Sequence, residues 1–299
     1  MKELKDKIVK VEGKHIQVTN PDKILFPDIS MTKWDYVMHM ARLAPFMLPY
    51  TRDRLLTVIR YPDGVRGKHF YQKNIPSYAP DWVETKTDGD NEYILLQNTA
   101  TLVWLATQAA LEFHTSFHLA GSDIPAELVF DLDPSREGFE AVTEVALLLH
   151  QVLQSIGLNA FAKTSGATGI QVYVPIERRY SFKQTRRVGQ FLGKYLQERH
   201  PRLVTLERMK RLRGHKVYFD YLQHWHGKTI AAPYSPRARA QAPVSTPVSW
   251  RELEKGVHPD DFTLLNIHRR LEVTGDIFQN VLDVRKRQSL DAILHAIRT

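Results

Sequence analysis

The sequence predicts an α+β protein whose second half is built around one sheet. Short apolar runs alternate with helical periodicity, and the elements from residue 127 onward follow the order β-α-β-β-α-β. That order is the split-βαβ arrangement, which brings distant strands side by side. No repeat, low-complexity segment or Gly/Ser linker divides the 299 residues. We therefore expect one unit with two lobes, at about 1–124 and 125–299.

Apolar periodicity in the first lobe predicts two helices, a strand and a turn. They are a helix over 33–48, a strand over 55–60, a turn at 62–64 and a helix over 98–114. Thr32 is the expected cap of the first helix, because Asp35 follows it at the capping-box spacing. The last helix is largely apolar, so we expect it in the core with His114 at its end.

The second lobe supplies the split-βαβ order and one further strand. Its predicted elements are a strand over 127–133, a helix over 139–156, strands over 160–164 and 169–176, a helix over 182–200, and strands over 203–206 and 216–222. Many unrelated functions share this architecture. The function must therefore be argued from side chains.

Composition favours a folded protein that meets polyanions. Hydrophobic residues make up 43% of the chain and the net charge is +8. This charge suits nucleic acid, although a generally basic surface gives the same value. Cysteine is absent, which excludes disulfides and thiolate metal sites. No signal-peptide core and no run of about 18 apolar residues is visible, so we expect a cytoplasmic protein without a membrane partner.

Three aspartates at the ends of apolar runs are the strongest candidates for a reaction centre. Asp131 and Asp133 follow Val129-Phe130, and Asp220 follows Val217-Tyr218-Phe219. Residues two apart on a strand share a face, roughly 6.5 Å apart along the chain. Carboxylates so placed could share divalent cations for phosphoryl or nucleotidyl transfer. The alternative is that Asp-x-Asp-Pro-Ser only ends a strand in a turn.

Two other segments carry phosphate-binding chemistry. The turn over 163–169 contains Ser165 and Gly166, and its backbone N–H groups could cradle a triphosphate, although most such turns only connect strands. Arg237 and Arg239 would share one face of an extended segment and grip phosphate together. A solvated basic edge is the alternative for this pair.

Aromatic and basic residues of the first lobe offer weaker candidates. Phe70 and Tyr71 lie in a lysine-flanked segment that could stack bases, or the phenylalanine could belong to the core. Lys23 and Lys33 could bind a phosphate, although separated lysines usually face water. His114, taken alone, is more often a satisfied buried histidine than a ligand-contacting group.

Eight ordered motifs span almost the whole chain. They are Val18-Thr19-Asn20-Pro21-Asp22-Lys23, Arg60-Tyr61-Pro62-Asp63-Gly64-Val65, Ala79-Pro80-Asp81-Trp82-Val83, Phe130-Asp131-Leu132-Asp133-Pro134, Thr164-Ser165-Gly166, Asp220-Tyr221-Leu222-Gln223, Ala232-Pro233-Tyr234-Ser235 and Ala242-Pro243-Val244. Together they resemble the polymerase domain of bacterial ligase D, in the archaeo-eukaryotic primase superfamily. The resemblance implies a primase-polymerase fold, with an RNA-recognition-motif-like catalytic lobe on the split βαβ and an N-terminal α/β lobe.

The resemblance also implies a role for each candidate residue. Asp131, Asp133 and Asp220 match the catalytic ligands of two Mn²⁺ or Mg²⁺ ions. The positions that match nucleotide contacts are Asn20, His114, Ser165, Gly166, Gln223, Arg237 and Arg239. The remaining matches are Lys23 and Lys33 for a DNA 5′-phosphate, Phe70 and Tyr71 for template stacking, and Arg213 for a mobile active-site arginine. Four positions depart from residues frequent in the family, namely Thr168 and Ile59 for lysine, Gln171 for histidine and His224 for asparagine.

The activity that the resemblance implies is template-directed nucleotidyl transfer by a DNA or RNA polymerase. It further implies gap filling at DNA double-strand breaks during non-homologous end joining, with NTP or dNTP substrates, a preference for ribonucleotides and 5′-phosphorylated DNA. Ku and a ligase would be partners, and the location would be the nucleoid. The chain would be an excised domain or a stand-alone relative. The alternatives are a non-catalytic module that bridges DNA ends and a phosphohydrolase of the haloacid dehalogenase type.

Overall fold

The computed structural model describes residues 6–136 and 138–297. Its strands are β1 (Lys7–Val11), β2 (Lys14–Val18), β3 (Ile24–Phe26), β4 (Met31–Thr32), β5 (Arg54–Arg60), β6 (Phe70–Gln72), β7 (Thr85–Asp88), β8 (Asn91–Leu95), β9 (Ala110–Leu119), β10 (Glu127–Pro134), β11 (Phe161–Thr164), β12 (Ile170–Pro175), β13 (Val204–Thr205), β14 (Val217–Phe219), β15 (Thr229–Ala231) and β16 (Pro247–Val248). Its helices are α1 (Lys33–Thr51), α2 (Thr99–Thr107), α3 (Phe139–Ser155), α4 (Phe182–Arg199), α5 (Trp250–Glu254), α6 (Ile267–Thr274) and α7 (Asp291–Ala296). The predicted α+β class is confirmed.

Local capping signals place the two longest helices where the sequence predicts them. The backbone N–H of Asp35 donates to the Thr32 hydroxyl, and the Asp35 carboxylate accepts from the Thr32 backbone, which starts α1. Ser181 and Gln184 form the same box at the start of α4. No helix in the described ranges is both long enough and apolar enough to cross a bilayer.

The chain forms two compact units. Unit 1 comprises Met1–Thr115, Thr229–Ser245 and Phe262–Gly275, and unit 2 comprises Ser116–Lys228, Thr246–Asp261 and Asp276–Thr299. Each unit therefore collects segments from several parts of the chain. The single division near residue 124 stays a prediction about domains.

In unit 1 the predicted helix over 98–114 is wrong in its second half. The helix α2 stops at Thr107, Ala109 adopts a positive φ of 54°, and β9 begins at Ala110. His114 therefore lies in a strand of the sheet β15-β9-β5-β8-β7. Most of the segment is buried, and periodicity cannot separate a buried helix from a buried strand when both faces are largely apolar.

In unit 2 the split-βαβ order is confirmed with one insertion. The sheet runs β13-β14-β10-β12-β11-β16, so β14 lies between the first and fourth strands of the β-α-β-β-α-β unit. The apolar faces of α3 and of α4 are buried in this unit. The insertion of β14 matters because Asp220 comes directly after it.

Candidate active site

Three aspartates meet on neighbouring strands of unit 2. Asp131 and Asp133 are two residues apart on β10 and so point to one face. The strand β14 pairs antiparallel with β10, with Leu132 opposite Phe219. The backbone N–H of Asp220 donates to the Asp131 carbonyl at 2.9 Å, so these two residues lie across from each other.

The Asp131 carboxylate lies beside two further negative charges. Burial raises the pKa of Asp131 well above its ordinary value, and the charges of Asp133 and Asp220 raise it further. A hydrogen bond from Gln171 and the charge of Lys163 lower it only in part. Like charges so close together favour a bound cation. An all-oxygen donor set suits Mg²⁺ or Mn²⁺.

The third carboxylate is oriented by its own turn. Asp220 Oδ1 accepts hydrogen bonds from the Tyr218 hydroxyl and from the backbone N–H groups of Leu222 and Gln223, each at 3.0 Å. Within the ranges that the structure describes, no group of three or more His, Cys, Asp or Glu side chains is arranged to hold a metal ion. The carboxylates thus suit a hard cation, whereas Asp220 Oδ1 is hydrogen-bonded within its own turn.

A row of polar side chains extends from Asp220, which directly follows β14, across the adjacent strands β10, β12 and β11. In register, Asp131 on β10 pairs with Gln171 on β12, which pairs with Lys163 on β11. Gln171 Nε2 donates to Asp131 Oδ1 at 3.2 Å, and Lys163 Nζ donates to Gln171 Oε1. We call Asp220, Asp131, Gln171 and Lys163 the polar row.

The turn between β11 and β12 packs directly against the acidic strand. Ser165 Oγ accepts from the backbone N–H groups of Ala167 at 3.2 Å and Gly169 at 2.9 Å. A Cβ on Gly169 would lie 2.5 Å from the Leu132 carbonyl oxygen and 3.0 Å from Asp133 Oδ1, so only glycine fits there. The turn that was predicted to hold phosphate is therefore brought beside Asp133.

A cleft of about 410 Å³ opens beside Asp220. Four basic side chains contribute to its wall together with Tyr218, Asp220, Leu222 and Gln223; they are Arg186, Arg208, Arg213 and Lys228. The Arg213 guanidinium stacks 3.7 Å from the centre of the Tyr218 ring and donates to the Glu207 and Arg208 carbonyls. The mobility predicted for Arg213 stays a prediction. A wall of this kind suits an anion.

Unit 1 brings His114 and Arg237 together around a carboxylate that the sequence did not single out. His114 Nε2 and Arg237 Nε both contact Glu112 Oε2 at 2.9 Å, and the backbone N–H of Ala238 donates to Oε1. Burial raises the pKa of Glu112, but the hydrogen bond from His114 and the charge of Arg237 outweigh it, so the pKa falls to about 2. The negative charge of Glu112 is thus compensated by His114 and Arg237 of the same chain.

The predicted common face of Arg237 and Arg239 is wrong. The Arg239 backbone N–H donates to the Arg237 carbonyl at 2.8 Å, so the segment bends where an extended strand was expected. Arg237 is bound to Glu112, whereas Arg239 is exposed. Only residues in an extended segment alternate regularly between faces.

Another group of predicted residues in unit 1 is joined by backbone hydrogen bonds. The Lys33 backbone N–H donates to the Lys23 carbonyl at 2.7 Å, and that of Lys23 donates to the Asn20 carbonyl at 3.0 Å. Lys33 is buried and donates from Nζ to the Thr19 carbonyl at 2.9 Å. Burial lowers the pKa of Lys33, and the charges of Lys23 and Arg60 lower it further. The excess positive charge suits an anion.

Phe70 and Tyr71 are exposed on the short strand β6. Their side chains are 44% and 67% exposed, which contradicts a place for Phe70 in the core. The Arg60 guanidinium lies 5.3 Å from the centre of the Phe70 ring and donates to the Tyr78 hydroxyl at 2.6 Å. Exposed aromatic faces beside a cation are suited to stacking on bases.

Three of the four departures from the family pattern have a plain structural setting. Ile59 is buried in the core and Thr168 is exposed. His224 is buried against Thr185 at 3.1 Å; burial and the charge of Arg186 lower its pKa to about 3. The fourth, Gln171, belongs to the polar row.

Sequence reasoning missed Glu112 and Lys163. Glu112 and His114 stand two apart, which places them on one face only if the segment is a strand, and the helix prediction concealed that relation. Lys163 is a charged residue inside an apolar strand, a signal that could have marked it for attention.

Comparisons with known proteins bear on the family of this chain. Residues 32–278 match the family model of the LigD primase-polymerase domain. The chain is 39% identical over 289 residues to the bifunctional non-homologous end joining protein LigD of Bacillus subtilis, covering 95% of this chain and 47% of that protein. It is 33% identical to the multifunctional LigD of Mycolicibacterium smegmatis, covering 80% of this chain and 32% of the relative. The chain thus spans half or less of these relatives.

A solved structure shows the same fold. The polymerase domain of Mycobacterium tuberculosis ligase D in complex with DNA superposes with a TM-score of 0.84 at 30% identity, covering 89% of this chain and 97% of that one. Family membership implies nucleotidyltransferase activity. The family match over most of the chain and the agreement in fold lead to one conclusion: this chain belongs to the LigD primase-polymerase domain family.

Proposed function

We propose that this chain is a template-directed nucleotidyltransferase that extends a primer across gaps at broken DNA ends, in non-homologous end joining. The observation that carries the proposal is the acidic cluster of unit 2. There the β10–β14 pairing places Asp131 beside the charges of Asp133 and Asp220. The relatives that share the fold are named for end joining, and the solved relative is a complex with DNA. Ku and a ligase are the partners that we propose by that relation.

Asp131, Asp133 and Asp220 are the residues that would hold two Mn²⁺ or Mg²⁺ ions. Bound there, such ions would act as Lewis acids on a triphosphate and lower the pKa of an attacking hydroxyl. The chain's own contribution is to fix the carboxylates. The β10–β14 pairing aligns Asp220 with Asp131, and Gly169 lets the phosphate-holding turn approach Asp133.

The remaining roles stay predictions that particular contacts support. Ser165, Gly166 and Gln223 would meet the nucleotide on unit 2, and Asn20, His114, Arg237 and Arg239 are nucleotide contacts predicted for unit 1. The pair of Lys23 and Lys33 has the positive excess that a 5′-phosphate requires. Phe70 and Tyr71 have the exposure that template stacking requires.

Primer extension on a gapped duplex with a 5′-phosphate tests the proposal. We expect addition of templated nucleotides that depends on Mn²⁺ or Mg²⁺ and is greater with rNTP than with dNTP. The control is the same reaction with each template base exchanged in turn, which should change the nucleotide incorporated. Binding of this DNA without extension, under every metal and nucleotide, would replace the polymerase with a module that bridges ends.

A further inference from the structure

Lys163 is a charged member of the polar row that lies fully buried inside the sheet. Its side chain is 0% exposed, in a strand whose other residues are mainly apolar. Lysine is almost never fully buried unless it is paired. Its ammonium group donates to the side-chain oxygen of Gln171, which is itself only 4% exposed.

The lysine decides which way the Gln171 amide faces. An ammonium group has donors only, so it must hold the amide oxygen. The amide nitrogen is then directed away from Lys163, and it donates to Asp131 Oδ1 at 3.2 Å. With the amide reversed, an oxygen would face the carboxylate and repel it. Lys163 therefore favours the one orientation that supports Asp131.

The strand register holds this chain of contacts in place. Lys163 stands opposite Gln171, and Gln171 stands opposite Asp131, on three adjacent strands. Directly opposed residues are the closest side-chain neighbours in a sheet. On its other side Asp131 receives the backbone N–H of Asp220 at its carbonyl. The position of the Asp131 carboxylate is thus set by Gln171 at Oδ1 and by the β14 segment at its backbone.

We propose that Lys163 is a positioning residue for the reaction, acting through Gln171 to orient Asp131 for a divalent cation. The inference rests on the function proposed above. It assigns Lys163 no contact with substrate. It also gives Gln171, where the family often has histidine, a specific role as the link between a buried cation and a metal ligand.

Binding of Mn²⁺ alone to the full chain tests this role without activity. Free Mn²⁺ would be followed by its electron paramagnetic resonance signal for the wild type, Lys163→Met, Gln171→Met and the double variant. We expect Lys163→Met to weaken binding about 10-fold, a loss typical of residues that orient metal ligands. The double variant should bind no more weakly than Gln171→Met, because both changes break one path.

The matched control is Lys194→Met, which removes an exposed lysine of α4 and should leave Mn²⁺ binding unchanged. Thermal unfolding shows which variants fold. If Lys163→Met does not fold, Lys163→Leu is used for the same test. Wild-type Mn²⁺ affinity in a folded Lys163 variant overturns the inference, as do losses that add in the double variant. If the wild type still extends primers, those results leave the proposed function standing. A wild-type chain that neither binds Mn²⁺ nor extends a primer overturns both.

Discussion

Two carboxylates of this chain have pKa values shifted in opposite directions by their surroundings. Glu112 in unit 1 is held by His114 and Arg237, and its pKa falls to about 2 despite burial. Asp131 in unit 2 is half-buried, and its pKa rises through burial and through the charges of the two neighbouring carboxylates. Burial of an acid therefore says little about function by itself. The lowered pKa of Glu112 reflects cations within the chain, whereas the raised pKa of Asp131 reflects burial and like charges.

The largest effect on activity should come from removing one aspartate of the cluster Asp131, Asp133 and Asp220. Asp131→Ala or Asp220→Ala should lower metal-dependent primer extension by about 10³-fold or more, because several kcal/mol of transition-state stabilisation are lost with the cation. DNA binding, measured in parallel, should stay largely intact. The exposed Asp90 provides the control variant Asp90→Ala. Full extension by either active-site variant would remove the cluster from the mechanism.

A change in the cluster of Glu112, His114 and Arg237 should alter the stability of the protein. Glu112→Gln should lower the free energy of unfolding by on the order of 3 kcal/mol at pH 7, because the carboxyl is 7% exposed and its pKa is lowered from 4.5 to about 2. A carboxyl whose pKa is lowered by folding stabilises the folded state fully at pH values above its unfolded pKa. The difference in unfolding free energy from wild type should therefore vanish as the pH falls from 4.5 to about 2. Denaturant unfolding at several pH values measures this, with the exposed Glu84→Gln as control. A difference that does not change with pH would show that packing, and not charge, holds Glu112.

A third cluster tests whether a local excess of charge predicts the partner. Lys23 and Lys33 form a pair with excess positive charge, although Lys23 Nζ is paired with Asp63 at 2.7 Å. Lys23→Ala should weaken binding of 5′-phosphorylated gapped DNA about fivefold, equivalent to about 1 kcal/mol for a half-exposed ion pair. The same DNA without the phosphate should show a smaller loss, and the exposed Lys86→Ala should alter neither. Equal losses on both DNAs would mean that Lys23 does not read the phosphate.

The smallest effect should be a gain in stability. Asp131→Asn removes one charge from the cluster and should raise the metal-free melting temperature by about 2–4 °C, for about 1 kcal/mol. Because the pKa of Asp131 is raised above 3.8, its favourable contribution exists at low pH and is lost as the pH rises through the folded pKa. The gain should therefore grow as the pH rises above about 4, as measured by thermal unfolding. A variant less stable than wild type at neutral pH would contradict this effect of the like charges.

The elements that the sequence predicted well are those with local signals. The cap predicted at Thr32 is the start of α1, and α4 begins at the predicted residue 182, where the structure shows a second capping box. The amphipathic pattern of α3 fixed that helix almost to the residue, Phe139–Ser155 against the predicted 139–156. The prediction for Asn98 to His114 failed because this largely apolar run gives no clear period by which helix and strand can be told apart.

The sequence by itself determined the strand ends that carry Asp131, Asp133 and Asp220, and eight ordered motifs that identify the family. Only the tertiary structure decided that β14 inserts beside β10, so that Asp220 faces Asp131, and that Lys163 and Gln171 extend the row. The physical reason is that turns and caps depend on neighbouring residues. Strand order and register depend on which distant faces bury each other.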